Sequence, residues 1–288
     1  MLFTIVTPSY LVPQQLPACV ESIRSQTRSH TAEEMSIQHI IQMGGDPEPN
    51  AVSKLSSLLC GHTHYTCELH VQKDTGMYDA LNKGFAKAKG EILGHLNADE
   101  QYLPGTLSTV SDIFQKHPKV DAVIGAVVVV NPDGDYICSR FPILPTLREV
   151  RCLPLSVFTA ATFFRASSLQ KLGHMYDASY KASGDTDFFE KLIKADFQFH
   201  TTKKYFSVFE DNGKNLALSD SAKLDNKRRQ ARLNLLEKNF MFCTRIIFRF
   251  RKLLSGGYHT EPFTYMYLGI DLQPTLKRVT HPSAIWKR

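Results

Sequence analysis

Strand-like and helix-like patterns alternate along the first hundred residues of the chain. Phe3–Thr7 is a run of apolar and β-branched residues, whereas the apolar residues between Leu16 and Ile23 recur at the spacing of one helix face. The same alternation predicts strands at 39–42, 67–71 and 91–96 and helices at 55–59 and 77–88. This order predicts an α/β fold with a mainly parallel sheet that is covered by helices on both faces.

The pattern changes in the middle of the chain. Ala122–Val130 is typical of a buried strand, and a turn at 131–134 leads into a second strand, Tyr136–Phe141. These two adjacent antiparallel strands predict that the sheet becomes mixed here. The remaining pattern predicts a loop at 144–154, helices at 167–172 and 185–195, and a strongly helical, basic segment at 223–254.

Charge is distributed unevenly along the 288 residues. The chain has 34 Lys and Arg residues and 28 acids, a formal net charge of +6. Residues 223–288 hold 14 of the basic residues and four acids, so this segment has a net charge of +10 and residues 1–222 are left at −4. We therefore predict an acidic α/β body at 1–222 and a basic helical appendage at 223–288.

Composition argues against a secreted or membrane-spanning protein. No apolar run approaches the roughly 20 residues that span a bilayer. The first residues lack a basic region and are typical of a strand, so we expect no signal peptide. Six cysteines are scattered without CxxC pairs, which is typical of a reduced protein. These features predict a cytoplasmic protein.

Polar and acidic residues follow the predicted strands at three points. In an open α/β sheet, ligands bind beyond the carboxyl ends of the strands, and those ends carry Thr7–Tyr10, Gly44–Asp46 and Asn97–Glu100. Asp99 and Glu100 supply the carboxylate oxygens that hard divalent cations prefer. The alternative is that both acids cap a turn.

Two further groups carry candidate chemistry. Asp185 and Asp187 open a predicted helix, where an acid in the first turn satisfies free N–H groups and the helix dipole. One carboxylate at this point is alternatively a base that takes a proton from a hydroxyl. Lys83, in the polar stretch 74–84, is able to offset phosphate charge, although a solvated lysine is the simpler interpretation.

Four segments of the chain occur together in the order of a known family. Asp74–Gly84 and Asn97–Glu100, with Leu103-Pro104-Gly105 after them, closely resemble family 2 glycosyltransferases. The opening strand at 4–10 and the block from Phe163 to Phe188 are similar to the same family. The nearest branch is that of bacterial exopolysaccharide and colanic-acid-type gene clusters. The resemblance covers about residues 3–215.

The resemblance implies a GT-A fold and the transfer of a sugar, with inversion, from a nucleotide-diphosphate donor that is expected to be UDP-linked. Asp99 matches the metal-binding acid of the family's DXD-like motif and would hold Mg²⁺ or Mn²⁺, which stabilises the leaving diphosphate. Asp185 matches the catalytic base. The residues that match donor-side positions are Thr7, Pro8, Asp74, Lys83 and Asn97.

Three positions depart from the family pattern. Met43 stands where the family usually has an Asp that reads the nucleobase, and a thioether accepts hydrogen bonds only weakly. Either Asp46 or Gln42 takes this role, or base selectivity is altered. Asn97 replaces the first acid of the DXD-like motif, which this branch often tolerates. Gly184 stands where many relatives have Glu before the base.

Other functions are also considered. A non-catalytic binding module that keeps the fold but has lost donor recognition is the main alternative, and Met43 is its support. A nucleotidyltransferase is disfavoured because no Gly-rich phosphate loop follows the first strand. A zinc site is disfavoured because its candidate ligands match no standard finger spacing. Those candidates are Cys60, His62, His64 and Cys67.

The basic segment 223–254 carries two neighbouring stripes, an apolar one of Phe242, Ile246, Phe250 and Leu253 and a basic one of Arg245, Arg249 and Lys252. Packing of this helix on the body is one interpretation. Contact with an anionic membrane surface is the other, and it would make the protein peripheral at the inner face of the cytoplasmic membrane. The resemblance supports it by implying a glycan or polyprenyl-linked acceptor in bacterial surface polysaccharide synthesis. We expect no nucleic acid partner, because the acidic body has no recognised binding motif.

Overall fold

The computed structural model describes residues 1–29, 35–58, 63–154, 157–173, 175–213 and 215–286. In these ranges the strands are β1 (Leu2–Tyr10), β2 (Ser36–Gly44), β3 (Tyr65–Val71), β4 (Ile92–His95), β5 (Glu100–Tyr102), β6 (Ala122–Val130), β7 (Tyr136–Arg140), β8 (Thr162–Arg165), β9 (Phe199–Glu210), β10 (Phe263–Leu268) and β11 (Pro274–Val279). The α-helices are α1 (Leu16–Arg24), α2 (Pro49–Leu58), α3 (Met77–Phe85), α4 (Thr106–Lys116), α5 (Leu147–Cys152), α6 (Ala166–Leu169), α7 (Gly184–Lys194), α8 (Asp220–Ala231), α9 (Leu235–Asn239) and α10 (Met241–Leu254).

The first four strands are parallel to one another. β1 pairs with both β2 and β4, and β2 pairs with β3, so their order in the sheet is β3-β2-β1-β4. Residues on the two faces of β1 enter different apolar clusters, Phe3 and Ile5 on one side and Val6 on the other. Burial on both faces explains why Phe3–Thr7 in β1 is a run of apolar and β-branched residues. The strands and helices predicted for this half of the chain are confirmed, except that α3 ends at Phe85 and not at residue 88, and residue 59 lies outside the described residues.

The second half of the sheet is mixed. β8 runs antiparallel between β4 and β6, β7 forms a hairpin with β6, and β9 lies parallel to β6 and antiparallel to β5. The predicted change to a mixed sheet is confirmed. The sequence pattern missed β9, because His200–Lys204 are polar and are not buried in the sheet.

Two segments differ from their predicted structure, and a capping box explains each difference. The predicted loop at 144–154 contains α5, since Thr146 Oγ1 accepts from the Glu149 N–H and the Glu149 carboxylate accepts from the Thr146 N–H. The helical segment 223–254 is divided among α8, α9 and α10, because Asn234 and Glu237 form a second capping box that begins a new helix.

The C-terminal hairpin of β10 and β11 packs against the main sheet. The Tyr265 hydroxyl donates to Gly134 O at 2.7 Å. The side-chain amide of Gln101 donates to Leu268 O at 2.8 Å and accepts from Leu268 N at 2.9 Å. Because Gln101 lies in β5, the hairpin holds the strand that follows Asp99. The division of the chain at 222/223 stays a prediction, and contacts of this kind join its two parts.

Candidate active site

The carboxyl ends of the parallel strands meet at one edge of the sheet. There the N–H of Leu11, just after β1, donates to Gly44 O at the end of β2, at 3.1 Å. Asp74, which follows β3, lies against the same glycine, since a Cβ atom on Gly44 would be 2.2 Å from Asp74 Oδ2. Only glycine permits so close an approach. The structure therefore places the predicted donor-side residue Asp74 at the end of β2.

The position expected to read a nucleobase lies in the core. Met43 is fully buried and packs against α1 and α2. Gln42 is also fully buried, and its Oε1 accepts from Lys87 Nζ at 3.2 Å. Asp46 is exposed. A carboxylate is nevertheless present at the end of β2, because Asp74 reaches it from the neighbouring strand.

Thr7 and Pro8 are buried within β1. The Thr7 hydroxyl lies 2.8 Å from His39 Nε2, and the other ring nitrogen of His39 lies 2.7 Å from the Tyr65 hydroxyl. Burial lowers the pKa of His39 to about 3, so this imidazole is neutral. The Thr7 side chain thus takes part in a neutral polar chain inside the sheet, and the contacts of Thr7 and Pro8 with a donor stay predictions.

Lys83 holds the loop between β3 and α3. Its ammonium group donates to Asp79 Oδ2 at 3.0 Å and to Lys73 O at 2.7 Å. Asp79 in turn accepts from the N–H of Thr75 at 2.9 Å. These bonds fix the segment around Asp74, and a direct contact of Lys83 with a diphosphate stays a prediction.

Negative charge is concentrated at the turn between β4 and β5. Burial raises the pKa of the partly buried Asp99. Glu100 is buried, accepts from the Asn97 N–H at 2.8 Å, and has its pKa raised to about 8 by burial and by the charge of Asp99. Burial and Asp99 also raise the pKa of Glu210, at the end of β9. Glu210 was not singled out from the sequence, because it lies in the strand that the pattern missed.

The donor atoms at this turn fit a divalent cation that is shared with a ligand. Asn97 Oδ1 is buried and has no hydrogen-bond partner within the described part of the chain. Together with the Asp99 carboxylate it gives two hard oxygen ligands, which suits Mg²⁺ or Mn²⁺ when phosphate oxygens complete the coordination. The described residues contain no group of three or more His, Cys, Asp or Glu that would hold a metal by itself. Of the zinc candidates, Cys60 and His62 lie outside the described residues.

The two acids at the start of α7 have different environments. Asp187 is buried and is bound by Arg232 at 2.8 Å and by Lys191 at 3.0 Å. Asp185 forms no ion pair with any described residue, and its Oδ1 accepts from the Thr186 N–H at 2.8 Å. Burial raises the pKa of Asp185, while the Thr186 N–H, the charge of Arg229 and the Tyr78 hydroxyl lower it. Asp187 therefore stabilises the helix, and Asp185 is the candidate base.

Aromatic side chains connect Asp185 to the centre of the sheet. Its partner Tyr78 packs against Tyr176, with ring centroids 5.3 Å apart. The Tyr176 hydroxyl lies 3.1 Å from Nδ1 of His95, the last residue of β4. Because β4 leads directly into the turn that holds Asp99, these contacts link Asp185 to the strand that precedes Asp99. Tyr78 lies within the stretch 74–84, yet its own role was not recognised from the sequence.

The same tyrosine explains the glycine before the base. A Cβ atom on Gly184 would lie 2.9 Å from two ring carbons of Tyr78. A glutamate at this position has no space unless Tyr78 moves. The departure from the family pattern at Gly184 is therefore coupled to the packing of Tyr78.

The chain belongs to glycosyl transferase family 2, whose family model matches residues 4–173. The matched range includes the stretch 74–84 and the turn with Asp99, and it ends before Asp185. The family predicted from the motifs is confirmed, and the colanic-acid-type branch stays a prediction.

Similar curated proteins occur in mycobacteria. A PGL/p-HBAD biosynthesis glycosyltransferase of Mycobacterium tuberculosis is 29% identical over 129 residues, which are 44% of this chain and 47% of that protein. An uncharacterized glycosyltransferase of the same species is 26% identical over 186 residues, 64% of this chain and 66% of that protein. The chain thus spans about half the length of the first of these relatives and about two thirds of the second.

Solved structures share the fold at low sequence identity. S. aureus TarS in complex with UDP-GlcNAc has a TM-score of 0.60 and 13% identity, covering 88% of this chain and 73% of that one. A mannosyltransferase from Pyrobaculum calidifontis in complex with GDP-Man and Mn²⁺ has a TM-score of 0.51 and 16% identity, covering 72% and 56%. These likenesses confirm the predicted α/β fold of the GT-A type.

Proposed function

We propose that this chain is an inverting, metal-dependent glycosyltransferase that moves a sugar from a nucleotide-diphosphate donor to a hydroxyl group. The observation that carries the proposal is the environment of Asp185, a carboxylate without an ion pair among the described residues. Tyr78 and Tyr176 connect it to the strand that leads to Asp99. A UDP-linked donor is supported by the fold shared with TarS, whose structure contains UDP-GlcNAc.

Asp185 has the properties of a general base. Burial raises the pKa of its carboxyl, and a base works best when its pKa approaches the working pH. It would take the proton of the acceptor hydroxyl while that oxygen forms a bond to the anomeric carbon. The bond from this carbon to the diphosphate breaks on the opposite side, which inverts the configuration.

Asp99 and Asn97 would hold Mg²⁺ or Mn²⁺. When bound, the ion supplies Lewis-acid stabilisation of the charge that develops on the leaving diphosphate. A cation here would also offset the repulsion that Asp99 exerts on Glu100 and on Glu210, which adds to burial in raising the pKa values of both glutamates. The mannosyltransferase that shares the fold, solved with GDP-Man and Mn²⁺, supports metal use.

The donor nucleotide would lie along the ends of β1 to β4. Asp74 is the strongest candidate for a nucleoside contact, because it lies against Gly44 at the end of β2. Lys83 would act on the diphosphate, and Thr7, Pro8 and Asp46 complete the proposed set of donor contacts.

Metal-dependent release of nucleotide from a panel of UDP- and GDP-linked sugars tests the proposal. We expect release with Mn²⁺ or Mg²⁺, none with a chelator, and loss of release in Asp99→Ala and in Asp185→Asn. Asp112→Asn, which changes an exposed acid on α4, is the control and should keep wild-type release. Activity that survives both active-site substitutions would overturn the residue assignments.

A non-catalytic binding module is the second candidate, and the burial of Met43 in the core is its support. Calorimetry with UDP and Mn²⁺ separates the two candidates. Binding of nucleotide that depends on the metal supports the enzyme, whereas absence of binding for every nucleotide tested supports the module.

α10 exposes an apolar stripe, which bears on where the protein works. The predicted stripe residues are more than half exposed: Phe242 (71%), Ile246 (52%), Phe250 (58%) and Leu253 (60%). The helix packs on the body by another face, where Thr244 is buried and Phe248 contacts Cys152 and Leu153. Packing on the body therefore leaves the apolar stripe unexplained.

We further propose that α9 and α10 contact an anionic membrane surface. Arg245 and Arg249 are exposed beside the stripe, whereas Lys252, the third residue of the predicted basic stripe, is buried, so the prediction was wrong for this residue. The single acid between 235 and 254, Glu237, is bound to Arg151 at 2.9 Å. An apolar stripe flanked by cations fits the boundary between anionic headgroups and acyl chains. No helix in the described ranges has the length and apolar content needed to cross a membrane. This surface would bring the active site to a lipid-linked acceptor.

Flotation with liposomes tests the membrane contact. We expect the protein to float with vesicles that contain phosphatidylglycerol, and not with neutral vesicles, at low salt. The double variant Phe242→Ser/Phe250→Ser should stay in the bottom fraction, whereas Ile270→Ser, at another exposed apolar position, should float. If the wild type does not float but sediments as a dimer, and the double variant does not form this dimer, the stripe binds a second copy of the chain instead.

A further inference from the structure

One carboxylate of α8 binds three consecutive backbone amides just before α7. Asp225 Oδ2 accepts from the N–H groups of Lys181 at 2.9 Å, Ala182 at 2.7 Å and Ser183 at 3.1 Å. Asp225 is 5% exposed. Hydrogen bonds to an ionised, buried acceptor are stronger than neutral ones, so this contact fixes the segment firmly.

The contact lies beside a helix start that has no local side-chain cap. Ser183 is the N-cap residue of α7, but it makes no side-chain cap bond, and its Oγ is buried without a partner in the part of the chain that is described. The N–H groups at a helix start need acceptors, and negative charge is favourable there. Asp225 binds the N–H of this N-cap residue from a position 42 residues further along the chain, and its other two partners lie just before the helix.

Arg228 of α8 and Arg232, the residue that follows this helix, contact the chain on both sides of Asp185. Before it, the Arg228 guanidinium lies 4.4 Å from the centroid of the Tyr180 ring, and Arg232 donates to the Tyr180 hydroxyl at 2.9 Å. After it, Arg232 donates to Asp187 Oδ1 at 2.8 Å. Asp185 therefore lies between two segments that α8 holds.

We propose that Asp225 is a positioning residue that fixes the backbone leading into Asp185, an inference that rests on the proposed role of Asp185 as the base. Residues 175–183 have no helix or strand, so without Asp225 the amides of 181–183 would have to find another acceptor, such as water. A displacement of a reacting group by about 1 Å is enough to lower the rate of the reaction strongly. Asp225 acts through Asp185 and needs no contact with a substrate.

The surroundings of Asp185 give the proposal a pH signature. The charged and titratable groups that face its carboxyl are Tyr78 from α3, Tyr176 from the preceding loop and Arg229 from α8. Burial is the main cause of its raised pKa. If the segment before it loosens and admits water, burial weakens and the pKa of Asp185 falls towards its ordinary value.

Hydrogen–deuterium exchange tests the contact without an activity assay. In the wild type, the amides of Lys181, Ala182 and Ser183 should exchange more slowly than unstructured amides. Asp225→Asn keeps the size of the side chain but removes its charge, and it should speed their exchange. Asp220→Asn, at an exposed acid on the same helix that pairs with Lys223, is the matched control and should leave exchange unchanged.

Steady-state kinetics tests the effect on the base. For Asp225→Asn we expect kcat to fall about tenfold or more, while the Kd for UDP with Mn²⁺ stays at the wild-type value. The acid limb of the pH profile of kcat should move to lower pH. Fast exchange at 181–183 in the wild type, or faster exchange in Asp225→Asn with unchanged kcat, overturns this inference alone. Wild-type turnover in Asp185→Asn overturns the proposed function and, with it, the role given to Asp225.

Discussion

The two sides of the candidate site are built in different ways. On the donor side, consecutive strand–helix units bring Gly44, Asp74 and Asp99 to one edge of a parallel sheet, and each acid follows its own strand in the sequence. On the base side, Asp185 lies at the start of a helix, and the amides just before that helix are bound by Asp225, from a later helix. The donor side is therefore specified locally, whereas the base side depends on contacts between distant segments.

The largest effect we predict separates binding from chemistry on these two sides. Asp185→Asn should lower kcat about 10²- to 10⁴-fold, the usual contribution of a general base, without changing the Kd for UDP with Mn²⁺. Asp99→Asn should weaken that nucleotide binding as well, because the amide lacks the negative charge with which the carboxylate attracts the cation. Single-turnover kinetics and calorimetry on the same preparations measure both quantities.

Asp187→Asn is the comparison variant for that experiment, because its carboxylate binds Arg232 and Lys191. It should lower the melting temperature, and its effect on kcat should be smaller than that of Asp185→Asn. If Asp185→Asn weakened nucleotide binding as much as Asp99→Asn does, the two sides would not be separate, and the comparison would fail.

The second prediction concerns the packing of the base against the donor-side helix. Gly184→Ala should destabilise the protein by about 1–3 kcal/mol, because the new methyl group meets the Tyr78 ring and overpacking of a core costs this much. The sign is informative, since Gly→Ala within an unhindered helix stabilises by up to about 1 kcal/mol. Urea denaturation of the purified variant measures the free energy of unfolding.

A double-mutant cycle with Tyr78→Leu attributes that cost to the ring. In the Tyr78→Leu background, Gly184→Ala should lose most of its cost, a coupling that neighbouring residues show and distant ones do not. An equal cost in both backgrounds would mean that Tyr78 does not explain why this chain has glycine before its base.

The third prediction tests whether the donor side depends on contacts with a distant segment, the C-terminal hairpin. Gln101→Ala removes two hydrogen bonds to Leu268, and at about 0.5–1.5 kcal/mol for each bond the variant should be destabilised by about 1–3 kcal/mol. Tyr265→Phe, which removes one bond from the same hairpin to Gly134, should cost roughly half as much. Hydrogen exchange at the Leu268 amide should speed up in Gln101→Ala and stay near the wild-type rate in Tyr265→Phe. Unchanged exchange in both variants would show that the hairpin does not depend on the strand after Asp99.

The contrast between the two sides also explains what the sequence could predict. The parallel strands, Asp74, Asp99 and the helix that begins at Asp185 are visible because each depends on a short pattern or motif. Apart from the family resemblance, no pattern distinguishes Asp185 from Asp187, since both occupy the first turn of one helix. Their ion pairs distinguish them, and the arginine concerned, Arg232, directly follows α8.

Other features escaped prediction for the same physical reason. Asp225 is one acid in a basic helix, and only the fold shows that its carboxylate faces three amides. Glu210 lies in β9, whose polar first half does not have a strand pattern. The burial of Met43 follows from the packing of α1 and α2 against β2, which no local pattern around residue 43 reports.

The smallest effect we predict is a shift of the acid limb of the pH profile of kcat, in the direction opposite to the shift expected for Asp225→Asn. The charge of Arg229 lowers the pKa of Asp185, which burial raises. Arg229→Met removes that charge, so the pKa of Asp185 should rise further. The carboxylate should then be protonated at a higher pH, and the acid limb of the pH profile of kcat should move to higher pH. Arg229→Lys keeps a positive charge and should leave the limb close to its wild-type position. Equal upward shifts in both variants would assign the effect to the lost hydrogen bond from Arg229 to Val150 O. A downward shift in Arg229→Met would show that α8 acts on the base by excluding water and not through its charge.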